Sequence, residues 1–154
     1  MLDRTKRLVP AVALLTGLLV SLPTAQDQAN ANEKHRSCSS VVASRSYNRL
    51  PYASPQFNKR VARQYMANKY GWCGQQYVCL VSLWNHESGW NVSAHNPSGA
   101  HGIPQALPGS KMSVIGADWR SSPYTQIKWG LKYIKGRYGT PCSAWSEWQS
   151  KGWY

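Results

Sequence analysis

The chain has 154 residues, and its 18 Lys and Arg against 6 Asp and Glu give a formal charge of +12. That length suits one small domain and excludes a multidomain assembly. The charge points to polyanionic partners, and the shortage of carboxylates leaves few positions able to supply an acid.

In chain order, residues 1–31 read as a secretory signal peptide. Arg4, Lys6 and Arg7 form a positive start, Leu8 to Leu22 is largely apolar, and Ala29-Asn30-Ala31 supplies a small-residue cleavage site, with Ala25 as an alternative. The apolar run is about fifteen residues, short of the roughly twenty that span a bilayer. Retention as an N-terminal anchor is the alternative, and no other segment is long and apolar enough to cross a membrane. Export separates the protein from nucleic acid. It directs the positive charge toward anionic cell-wall polymers and glycan strands, or leaves it as a solvated face.

Residues 32–53 are rich in Ser, Arg and Asn without periodicity and read as a flexible leader, pinned at most by Cys38. The domain proper is 54–154. Ser54-Pro55 is an N-cap followed by a first-turn proline, and Phe57, Val61 and Tyr65 recur at helical spacing until Gly71. A second helix is expected from about Gln75 to Ser88, closed by Gly89. From Asn91 to Ser121 the chain is mostly Gly, Pro, Ser and Asn, and it reads as a long structured loop with one short helix around Gln105. Loops of that length inside a compact domain are usually functional. Ser122-Pro123 opens a third helix carrying Ile127, Leu131, Ile134 and Tyr138 on one stripe, which Gly139 and Pro141 stop. The tail from Cys142 to Tyr154 holds three tryptophans and has no assigned element. The expected fold is mainly α, a single domain with a long loop-rich groove segment.

Cys38, Cys73, Cys79 and Cys142 all follow the signal sequence. An even count in a small exported chain implies two disulfides with three possible connectivities, each worth roughly 3–5 kcal/mol. The spacings do not suit zinc, no metal or cofactor is expected, and disulfides are preferred over a catalytic thiol at Cys73 or Cys79.

Once the signal is removed, the remaining carboxylates are Glu33, Glu87, Asp118 and Glu147. Glu87 alone ends an apolar helical run, with Leu80 and Trp84 at i−7 and i−3 and with Val81 and Leu83 flanking. Desolvation and the negative end of the helix dipole both favour its protonated form. A carboxyl still protonated near neutrality is what cleavage of a glycosidic bond needs to protonate the leaving oxygen. Ordinary glycosidases use two carboxylates, and here the second is not evident. A single acid suffices if an N-acetyl group assists departure and the sugar's own 6-hydroxyl closes an anhydro ring. Asp118 as a partner carboxylate is the hydrolytic alternative.

Eight Trp and nine Tyr against one Phe favour rings with a polar handle, which stack on sugars and hydrogen-bond from their edges. Trp84 is expected in the core, and Trp90, Trp119, Trp145, Trp148 and Trp153 are the groove candidates. His86 lies about 100° around the helix from Glu87 and has no second His at i+4, so it reads as a solvent-facing or hydrogen-bonded histidine rather than a metal ligand. His101 is a candidate for the groove lining.

Leu83 to Asn91, Asn96-Pro97-Ser98-Gly99-Ala100-His101-Gly102-Ile103-Pro104-Gln105 with the run to Met112, and Tyr124 to Ile134 together resemble the actinobacterial branch of the soluble lytic transglycosylases. The likeness covers Ser54 to Tyr154. It implies a lysozyme-like fold with a groove between a helical lobe and a loop-rich one. It also implies Glu87 as general acid and base, Gln105 lining the groove beside the acid, and Ser98 shaping a sugar subsite. Ile103-Pro104 replaces the usual Leu-Met, and the family's Ala-Tyr-Asn-x-Gly element has no clear counterpart. The resemblance further implies a Cys79–Cys142 pair, leaving Cys38 with Cys73.

The resulting expectation is a secreted, monomeric lytic transglycosylase. It would cleave the bond between N-acetylmuramic acid and N-acetylglucosamine in peptidoglycan glycan strands through Glu87, giving 1,6-anhydro products. A hydrolytic muramidase and a non-catalytic cationic wall-binding protein are the alternatives.

Overall fold

The computed structural model describes residues 50–154 together with Leu22, residues 24–26, Gln28 and Cys38. Most of residues 1–53, where a signal peptide and a flexible leader are expected, lies outside the described residues. Within 50–154 the chain is mainly helical, with α1 at Pro55–Tyr70, α2 at Gln75–Ser88, α3 at Pro123–Tyr138 and α4 at Pro141–Lys151. None of the described helices is long and apolar enough to cross a membrane.

Three of the four helices begin with the same device. Ser54, Ser122 and Thr140 accept hydrogen bonds from the backbone N–H groups of Phe57, Thr125 and Ser143, and each is followed by proline in the first turn. The hydroxyl satisfies a donor that the helix itself cannot, and proline gives up an N–H that would have had no partner. The Thr140-Pro141 pair is therefore a start as well as a stop. The tail that followed the third expected helix is itself a helix, α4, and its signal is the one already read at Ser54-Pro55.

The core is built where α2 and α3 present their apolar stripes. Leu80, Leu83 and Trp84 of α2 meet Ile127, Leu131 and Ile134 of α3, with Ala62 and Met66 of α1, Ala144 of α4 and Ile103 of the loop completing the cluster. All ten side chains are fully removed from solvent, and burial of each large one contributes roughly 1.5–3 kcal/mol. At Gly130 a Cβ atom would sit 2.7 Å from the Trp84 indole and 2.9 Å from Pro104, so the missing side chain is what lets α3 press against both.

Two disulfides tie the helices together, Cys38 to Cys73 and Cys79 to Cys142, in the pairing the resemblance implies. The first fixes one point of the leader beside the entry to α2. The second joins the second turn of α2 to the first turn of α4. Disulfides persist in oxidising surroundings, so both fit an extracytoplasmic location.

The 91–121 loop is ordered by polar contacts. The buried Gln126 side chain accepts from the Ile103 N–H at 2.9 Å and donates to Val92 and Trp119 carbonyls at 3.0 and 2.8 Å. Backbone pairing of His101 with His95 and with Ala106 folds residues 95–106 back on themselves. No helix forms around Gln105. That residue sits in a tight turn at φ +48°, and the loop's one helical piece is a 3₁₀ turn at Gly109–Val114. The Gly102–Gln105 turn is stabilised by the Gln126 network rather than by any helical periodicity. Ala106, Met112 and Trp119 form a second small core beneath it, against Trp129.

Candidate active site

Glu87 lies in the last turn of α2, two residues before Gly89 closes the helix in the left-handed conformation. Leu83 and Trp84, one turn earlier, are anchored in the core, which holds this end of the helix and leaves the carboxyl half-buried at the domain surface. Burial pushes the carboxyl up from its ordinary value of 4.5, and a hydrogen bond from the Trp148 side chain pulls it part of the way back. The helix C-terminus adds to the first effect, because unsatisfied carbonyls repel a carboxylate.

Trp148 reaches this position through the fold of α4. Cys79 and Cys142 bind the beginnings of α2 and α4, while Glu87 and Trp148 meet near their ends, so the two helices run in the same direction. Cys79 to Glu87 spans eight residues and Cys142 to Trp148 spans six, roughly 12 and 9 Å at 1.5 Å per residue. The disulfide thus sets the depth at which the indole meets the acid. His86 packs on the outer face of the same pair, 4.4 Å between centroids from Trp148 and 5.3 Å from Trp145. It is exposed, as its place on the helix suggests.

Tyr154 closes the other side. Its hydroxyl accepts from the Trp84 indole N–H at 2.9 Å and donates to the Pro104 carbonyl at 3.0 Å. One oxygen therefore links α2, the loop and the C-terminal residue. Burial above all, and then the Glu87 charge, pushes this hydroxyl well above its ordinary 10, so it stays neutral. Ser88 makes a parallel link, donating to the Ile103 carbonyl at 2.8 Å. These two bonds hold the loop at a fixed height over the helix end.

The space so enclosed is a cleft of about 440 Å³, lined by Glu87, Asn96, Ala100, Gln105, Leu107 and the Gly152–Tyr154 segment. Gln105 donates through its amide nitrogen to the carbonyls of Gly102 at 2.9 Å and Ala94 at 3.3 Å. With the amide hydrogens committed to the backbone, its carbonyl oxygen is the group left to meet a ligand. Among the described residues Glu87 is the one carboxylate in this lining.

The other candidates fall in several places. Trp153 is half-exposed on the cleft wall, and Trp148 touches the acid itself. Trp90 is not a groove residue. It is fully buried, edge-on to Trp84 at 5.0 Å, and its N–H donates to the Val81 carbonyl at 3.4 Å. Coming straight after the helix-closing glycine, it turns back into the core with φ +66°. Trp119 is likewise buried, in the second core. His101 is outside the cleft lining, since its ring stands edge-on to Trp119 and its Nε2 pairs with the Arg120 carbonyl at 3.0 Å. Ser98 is exposed on the loop tip, and Asn96, two residues earlier, occupies the cleft wall instead.

Asp118 has a local task. Its Oδ1 accepts from the Thr125 hydroxyl at 2.6 Å, and that bond, with Ser122, holds its carboxyl below the ordinary range. It serves the start of α3, where a negative charge is favourable. Glu147 pairs with Lys151 one turn along α4. Sequence reasoning missed Asn96 and Tyr154 as lining residues, the first because a turn motif shows no direction. The second comes into place through contacts across 70 residues.

Comparison with protein-family models, with curated proteins and with solved structures returns no match to this chain.

Proposed function

We propose that this chain is an exported lytic transglycosylase of lysozyme-like fold, acting on the glycan strands of peptidoglycan. The observation that carries the reading is the environment of Glu87. Its carboxyl is half-buried, shifted upward from its ordinary value by that burial and set in a cleft whose described lining has no second carboxylate. The sequence resemblance and the basic, disulfide-linked character of the chain support the same compartment and substrate.

Protonated Glu87 donates its proton to the oxygen bridging N-acetylmuramic acid and N-acetylglucosamine. The bond from that oxygen to the muramic C1 breaks as the neighbouring acetamido oxygen supports the electron-poor carbon. The muramic 6-hydroxyl then attacks C1, and the Glu87 carboxylate takes the hydroxyl proton. The products are a free 4-hydroxyl and a 1,6-anhydro ring, and the acid is restored with no water consumed.

Trp148 fits both halves of this cycle. An indole N–H is a donor only, so it steadies the carboxylate that forms after proton donation while burial favours the acid before it. The cleft residues Gln105, Asn96 and Trp153 offer a carbonyl, an amide and an aromatic ring to a sugar.

The reading is tested by incubating the purified mature protein and its Glu87→Gln variant with peptidoglycan. Soluble muropeptides should appear with the first and not with the second, while both give the same circular dichroism. Binding of the wild-type protein to peptidoglycan with no released product would favour a wall-binding protein instead.

A further inference from the structure

The cleft at Glu87 does not stand alone. It shares Gln105, Leu107 and Tyr154 with a narrower hollow of about 190 Å³, which in turn shares Trp129 and Tyr133 with an open hollow of about 590 Å³ at the surface of α3. The three therefore lie in succession from the acid, across the loop, to the flank of α3, each bordered by side chains of the next. The far end differs in character from the cleft. Trp129 and Tyr133, one turn apart on α3, lie parallel within 5° with centroids 5.3 Å apart and make an aromatic wall. Lys111, Lys132 and Arg137 border the same stretch, with no carboxylate in the lining of either hollow.

These cations are not spent on the protein. Among the described residues the one ion pair joins Lys151 to Glu147, and Glu147 is also the carboxylate whose charge reaches Arg137, weakly. Arg137 donates its Nε–H to the Tyr138 hydroxyl at 3.2 Å. That bond orients the guanidinium and leaves both terminal NH₂ groups for another acceptor, in the geometry suited to a carboxylate. Tyr133 is wedged by edge contacts with Tyr138 and Tyr154 at 6.0 and 5.8 Å, so the wall is held in place from behind.

We propose that this far end of the groove is a second subsite that binds carboxylate groups carried by the substrate strand, with Trp129 and Tyr133 against a sugar and Lys132 and Arg137 on the anion. The proposal rests on the glycan-strand reading of the Glu87 cleft. Continuity of the groove argues that one ligand occupies both ends, so the anion belongs to the strand being cleaved rather than to a separate wall polymer. On such a strand the carboxylates are those of the attached peptide, whose amide bond takes up the lactyl carboxyl, and the free lactyl carboxylate wherever no peptide is attached; a plain N-acetylglucosamine polymer has neither.

The test measures binding by calorimetry in the non-cleaving Glu87→Gln background, with three ligands: peptide-bearing glycan strands, strands stripped of peptide by an amidase, and soluble chito-oligosaccharides. The Lys132→Ala/Arg137→Ala pair should weaken binding to peptide-bearing strands about two- to tenfold, as expected for two exposed charge contacts, and leave chito-oligosaccharide binding unchanged. The Trp129→Ala variant should weaken all three. If stripped strands lose the effect the subsite reads carboxylates of the peptide, and if they keep it the lactyl carboxylate that the amidase exposes is also accepted. Equal affinity of the charge variant and its parent for peptide-bearing strands overturns the subsite. So does a loss confined to polyglycerol phosphate, added as a separate ligand. The readout is binding, so an inactive wild-type protein would reject the transglycosylase reading while the affinity differences still decide the subsite.

Discussion

Trp148 and burial act on the Glu87 carboxyl in opposite directions, the indole side chain favouring the charged form and burial the protonated one. The two influences oppose each other on one group, and the balance suits an acid that must give up a proton and take one back. Replacing Trp148 by Phe keeps the apolar cover and removes the donor. The carboxyl then rises further, so the alkaline limb of the activity profile should move to higher pH. The rate at its optimum should fall severalfold, roughly three- to tenfold, the carboxylate formed after proton donation having lost the indole that favours it. A pH–rate series on both proteins decides this, and an unmoved or lowered alkaline limb would reject the role.

Glu87 should also leave a mark on stability. Its native value lies above the ordinary 4.5, so between those two values the native state holds more protons than the unfolded chain. Stability therefore falls as pH rises through that window and is level above it. Glu87→Gln cannot ionise and escapes the loss. Thermal unfolding of the two proteins should nearly coincide at about pH 4, with the variant the more stable at neutral pH. A variant that is less stable at neutral pH would contradict the environment assigned to this side chain.

The Cys79–Cys142 bridge closes a loop with a sequence separation of 63, and its removal as a Cys79→Ala/Cys142→Ala pair should cost about 4 kcal/mol in denaturant unfolding. Because the same bridge sets where α4 meets α2, activity should drop even at temperatures where the variant remains folded. The Cys38→Ala/Cys73→Ala pair should lose comparable stability with less effect on turnover. Equal loss of turnover in the two variants would argue against α4 placement as the cause.

Gly102 has φ +74°, and a methyl group there would run into the Gln126 side chain that anchors the loop. Gly102→Ala should cost about 2–4 kcal/mol, the strain of a left-handed alanine plus disruption of buried hydrogen bonds. Unfolding midpoints within the error of the parent would show that the loop tolerates a different path.

The helical half of this architecture was open to reading because its signals are local. Ser54-Pro55, Ser122-Pro123 and the glycines at 71, 89 and 139 bracket three helices at the observed boundaries. Glu87 could be singled out because an acid on an apolar stripe conflicts with its neighbours. The rest depends on contacts distant in sequence. Trp90 and Trp153 are the same residue type beside a helix-closing glycine, yet one is buried and the other lines the cleft. The helix α4 carried a readable start at Thr140-Pro141, but Pro141 also stops the preceding helix, and one residue serves both ends. Lys132 and Arg137 look like an ordinary solvated face until Trp129 and Tyr133, which border their hollow, are found to border that of Gln105 and Leu107 as well.

The central claim is that Glu87 works without a second carboxylate, and product mass tests it most directly. Purified glycan strands are digested with the mature protein, and the released disaccharide units are weighed by mass spectrometry. The wild-type protein should release 1,6-anhydro products with no added water, and Glu87→Gln should release none. Products heavier by one water, or undiminished release by the variant, would contradict it.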